Sequence, residues 1–121
     1  VRSVGEVFNL IIGENRMLTG LLTAAPQGGA RAGGGPAGRA AQPAPVTDPA
    51  EMQEALKASY AALRQAVTGL SAAERNANGK LFGRDLTKQG ATLFLLLDQH
   101  EHLGQSIAYA RTNNVVPPWS K

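Results

Sequence analysis

Residues 24–49 read AAPQGGARAGGGPAGRAAQPAPVTDP, a stretch with six glycines, five prolines and no side chain bulkier than Arg or Gln. Such a segment cannot bury enough apolar surface to offset the entropy lost on ordering it, so it reads as a flexible connecting loop. Its glycine cluster is no phosphate-binding loop, because the Lys-Ser/Thr that completes that signature and the strand that precedes it are both missing. A chain of 121 residues interrupted in this way has material for one core and not two, and is read as a single domain, 1–121.

The flanking segments carry helical periodicity. Ser3 and Glu6 stand at capping-box spacing, and Val4, Val7, Phe8, Leu10, Ile11, Met17, Leu18, Leu21 and Leu22 form an apolar stripe that ends before Pro26. A second helix starts at Thr47 or Asp48 with Pro49 at its first position. It carries Met52, Leu56, Tyr60, Leu63, Val67 and Leu70 inward and stops near Gly69 and Ser71. Residues 71–85 are polar and turn-rich, with a short helical turn over 72–75 and Asn78-Gly79 as the sharpest turn signal. Thr87 caps a third, longer helix reaching about Asn113, after which Asn113-Asn114 and Pro117-Pro118 end it and the tail, 114–121, folds back on the bundle over Val115 to Trp119. Two rows compete for the inner face of this last helix: Leu93, Leu96, Leu97, His100, Gly104 and Ile107, and beside them Leu95, Asp98, His102 and Tyr109. The fold class is all-α. Three long helices have apolar faces wider than they can cover for one another, so the core calls for a fourth helix or a partner surface.

Composition removes several functions. With no cysteine there is no disulfide framework, thiolate nucleophile or Cys-ligated zinc. The excess of 12 Lys and Arg over 9 Asp and Glu is scattered, without the clustered charge and stacking aromatics of a nucleic-acid binder. The longest apolar run, Leu93 to Leu97, is too short to span a bilayer. Ser59 and Ser106 have no evident base and orienter, so nucleophilic catalysis has no support.

The chemistry with a pattern behind it is Asp98 and His102. At i, i+4 they share a helix face and can bind one divalent metal together, but a hydrolytic or transfer centre needs a third ligand from another helix. On the first helix the inner face shows Leu10 and Ile11, and the polar candidates, Glu14 and Asn15, lie about one turn further along. The competing reading is an ordinary Asp98–His102 pair, with Glu101 and Gln105 on solvated surfaces and His100 at the core edge or on the surface.

FLLLDQHEHLGQSIAYARTNNVVPPWS, 94–120, resembles the C-terminal helix and tail of the DinB-like helical-bundle superfamily, and RSVGEVFNLIIGEN, 2–15, is similar to that family's second helix. The resemblance implies an up-down four-helix bundle, often dimeric, with a divalent metal such as zinc or nickel held by three histidines in many members, some of them thiol-dependent transferases or isomerases. The family's first-helix ligand falls here on Leu10 and the first ligand of its last helix on Asp98, and only His102 is retained. The family's first helix has no counterpart in this sequence. The expectation is therefore a non-catalytic accessory or scaffolding bundle, without cofactor, working through a protein partner in a larger assembly or as a homodimer. A metal-dependent enzyme using Asp98 and His102, with Glu14 as the third ligand, is the alternative. Relatives with the His-Leu-Gly-Gln and Pro-Pro-Trp-Ser pattern include exported proteins, which leans the location toward the periplasm.

Overall fold

Each long helix begins where its capping chemistry places it. The computed structural model describes residues 2–24 and 44–116. In α1 (Val4–Thr23) the Ser3 hydroxyl accepts from the Glu6 amide and the Glu6 carboxylate accepts from the Ser3 amide, a complete capping box. In α2 (Pro49–Thr68) the Asp48 carboxylate accepts from the amides of Ala50 and Glu51, with Pro49 at the first position. The single turn α3 (Ala72–Arg75) has its own Ser71–Glu74 capping box. Thr87 caps α4 (Lys88–Thr112) through the Gly90 amide. The far end of α4 closes as a Schellman motif: Asn114 is left-handed at φ 57°, and the amides of Val115 and Asn114 donate to the carbonyls of Ala110 and Arg111.

Residues 78–87 differ from the irregular turn expected of them. Asn78–Leu81 (β1) and Arg84–Thr87 (β2) pair antiparallel, Asn78 opposite Thr87 and Leu81 opposite Arg84. The chain reverses at Phe82-Gly83, where φ of 49° and 77° are the two positive values a primed two-residue turn requires. Gly79 serves close approach instead of a turn, since a Cβ there would lie 2.6 Å from Leu21 Cδ1. The hairpin is pinned to α4 by the Phe82 and Phe94 rings, 6.0 Å apart, and by the Arg84 guanidinium 5.1 Å above Phe94. The fold is thus mostly helical, consistent with the all-α class expected, with one small antiparallel two-stranded sheet added.

The up-down order is corrected. Asn9 of α1 exchanges hydrogen bonds with the backbone of Val46 just before α2, Asn15 bonds Ser59, and Leu18 and Leu22 share a core cluster with Leu63, Val67 and Leu70. Residue numbers rise together, so α1 and α2 run parallel. The segment between them is long enough to return the chain to the starting end, about 30 Å away for a helix of this length. Only α4 runs antiparallel to α1: Lys88 at its start reaches the carbonyls of Leu22 and Ala24, and the Tyr109 hydroxyl near its end donates to the Arg2 carbonyl.

The core joins Leu18, Leu22, Leu81, Ala91 and Leu95 from α1, β1 and α4 with Leu70 just past the end of α2, and Leu63 and Val67 of α2 pack against it. Of the two rows on α4, the one through Leu95 and His102 faces inward, while Leu93, Leu96, Leu97, Leu103 and Ile107 are exposed, Leu97 at 72%. Of the tail expected to fold back, Val115 and Val116 are exposed, and residues 117–119 lie outside the described residues. Most of the 24–49 loop likewise lies outside the described residues. No helix among the described residues is long and apolar enough to cross a membrane.

Candidate metal centre

Because α1 and α4 lie antiparallel, the middle of one faces the middle of the other, and this is where the chain's ionisable groups converge. Asp98 and His102 project from one face of α4, and Glu14 projects toward them from α1. His102 Nε2 stands 3.4 Å from Glu14 Oε2 and 3.6 Å from Asp98 Oδ2. One ligand atom from each of the three residues falls within 4.8 Å of the others. Glu14 and His102 are 7% and 5% exposed, whereas Asp98 is half-buried.

The electrostatics follow from that placement. Burial first, and then the negative charge of Asp98, push the Glu14 carboxyl up from 4.5 to about 7, with His102 pulling the other way. Both ring nitrogens of His102 are buried without a hydrogen-bond partner among the described residues. Buried polar atoms are nearly always bonded, and an orphaned one costs about 1–3 kcal/mol. A cation between the three side chains would give Nε2 its partner. Two atoms each ~2.1 Å from a tetrahedral ion lie ~3.4 Å apart, which matches both distances from Nε2. Two ionised carboxylates would also neutralise a divalent charge. The residues fit a metal, and three protein ligands leave the open position that distinguishes reactive from purely structural sites.

Around this cluster, Gln99 Nε2 donates to Glu14 Oε2 at 3.3 Å and the Tyr60 hydroxyl of α2 donates to Gln99 Oε1. The Tyr60 phenol is held above its ordinary 10, by burial and by the charge of Glu14, against a lowering hydrogen bond from Asn15. Tyr60 also forms part of a surface groove of about 620 Å³ on α2, with Lys57, Arg64 and Gln65. On the α4 side, Asp98 lines a cleft of about 210 Å³ with Phe94, Leu97 and Glu101.

The structure therefore brings Asp98 and His102 together with Glu14. Leu10, half-buried, lies one helical turn before Glu14 and offers no donor atom. His100 stands outside the cluster, exposed, its Nδ1 2.9 Å from the Leu96 carbonyl. Ser59 and Ser106 spend their hydroxyls on the helix carbonyls of Leu56 and His102. Sequence reasoning missed Gln99 and Tyr60. Gln99 adjoins Asp98, so spacing alone places it on a different side of the helix, and Tyr60 was absorbed into an apolar stripe although its hydroxyl needs a partner. Comparison with protein-family models, with curated proteins and with solved structures gave no match.

Proposed function

We propose that this chain is a divalent-metal-binding helical bundle of the DinB-like kind, with Glu14, Asp98 and His102 as ligands and a coordination position left open for a water or substrate. The observation that carries the reading is the buried, unpartnered His102 Nε2 facing two carboxylates on two different helices. A non-catalytic reading rests on the missing donor at Leu10. Glu14, four residues on and therefore on the same helix face, supplies a donor in its place. A metal in such a site acts as a Lewis acid or lowers the pKa of a bound water, which suits a hydrolase or a group transferase. The chain's own contribution is to hold two carboxylates and one imidazole at fixed spacing, and to keep one side, at Asp98, open to solvent. Two oxygens and one nitrogen form a harder donor set than three imidazoles, extending the candidate ions from zinc and nickel toward manganese. Calorimetric titration of zinc and of manganese into the chelator-treated protein tests this. Saturable binding at one site, lost in Glu14→Ala and in His102→Ala, is expected.

A second reading, a scaffold acting through protein contacts, is favoured by a separate observation: Leu93, Leu96, Leu97, Leu103 and Ile107 present large apolar side chains on successive turns of α4. The two readings are compatible, since the ligands and the exposed stripe occupy different faces of that helix.

A further inference from the structure

We infer that Tyr60 and Gln99 are positioning residues for Glu14, a two-step relay from α2 through α4 that anchors the Gln99 amide with its nitrogen against the metal-binding carboxylate. The inference rests on the metal-site reading above. A primary amide presents an acceptor at one end and a donor at the other, and the two ends have nearly the same shape. Packing alone therefore does not choose between them. The carboxylate does: when ionised it only accepts, so it takes Nε2, 3.3 Å from Glu14 Oε2, and the phenol hydroxyl donates to Oε1 at the other end and anchors the amide there.

A donor at that place favours the ionised carboxylate, the form a metal needs, and holds the oxygen in line with His102 Nε2. Without the phenol hydroxyl, Oε1 loses its anchor and the amide can swing away from the carboxylate, which then loses its donor. Tyr60 thus acts on Glu14 only through Gln99. The helix that gives no ligand still takes part in the site. This accounts for a polar tip on an otherwise apolar α2 stripe, and for the hydrogen bond Tyr60 makes across to α4 where α2 gives only Met52 and Ser59 to the buried interior.

The test is a cobalt(II) titration of the chelator-treated full chain, followed by visible absorption, for wild type, Tyr60→Phe, Gln99→Leu and the double variant, with the melting temperature of each metal-free protein. Expected are one cobalt per wild-type chain, affinity weakened about 10- to 100-fold in each single variant with an altered spectrum, and a double variant no weaker than Gln99→Leu alone. The last result is what distinguishes action through Gln99 from independent effects. Additive losses in the double variant overturn the relay, as do variants that melt earlier but bind cobalt with wild-type affinity and spectrum. Wild type that takes up no cobalt overturns the metal-site reading, and the relay falls with it.

Discussion

Glu14 is the residue on which the site turns, because it is buried, acidic and placed against a second carboxylate. Its proton stays on to about pH 7 in the folded chain, compared with 4.5 for an unperturbed glutamate. Between those values the folded state binds more protons than the unfolded one, so Glu14's contribution to stability is fully present below pH 4.5 and is lost as the pH rises through 7. Thermal melts of the metal-free protein should show this fall, and Glu14→Gln should flatten it. Metal binding has the opposite dependence. The proton must leave before the carboxylate can ligate, so zinc affinity should strengthen as the pH is raised from 6 to 8, with proton release measurable by calorimetry in buffers of different ionisation enthalpy. At this scale, Asp98 and His102 were legible in the sequence because i, i+4 spacing on one helix is a local property. Glu14 was legible only as a candidate, since which turn of α1 faces His102 depends on how two helices are docked, and no local pattern encodes that.

At the scale of elements, Lys88 is the joint that sets this docking. It is 3% exposed and its ammonium donates to the Leu22 and Ala24 carbonyls at the C-terminal end of α1, where unsatisfied carbonyls and the helix dipole both favour a cation. Lys88→Met keeps the aliphatic stem and removes the donors. It should cost about 1.5–3 kcal/mol in denaturant unfolding, the range for charge-assisted hydrogen bonds. An unchanged midpoint would show that the carbonyls are satisfied without it. The helix starts at Ser3, Asp48 and Thr87 were readable because these residues carry local capping chemistry. The hairpin was not. Its two strands are four residues each, too short for alternation to declare itself, and its reversal uses Phe82 at positive φ, a residue that carries no turn signal. Gly79 misdirected the reading for a physical reason: the glycine is there because Leu21 occupies the space a side chain would need.

Across the whole molecule, α1 lies between α2, which runs parallel to it, and α4, which runs antiparallel, and the outer face of α4 is left apolar. If that face meets a second copy, the sedimenting mass of wild type should rise with concentration, and Leu97→Asp should keep the chain monomeric with a melting temperature close to wild type, because Leu97 is 72% exposed already. Wild type that stays monomeric at every concentration would exclude self-association by this face. The parallel course of α1 and α2 could not be read from periodicity, which reports which face of a helix is apolar and says nothing of its direction. The most direct test of the central claim is metal content. Chelator-treated wild type and His102→Ala are incubated with zinc, freed of unbound ion by gel filtration and analysed for zinc and protein. Close to one equivalent on wild type and loss of most of it on the variant is the expected result; wild type that retains no zinc, or a variant that retains as much, would contradict the account.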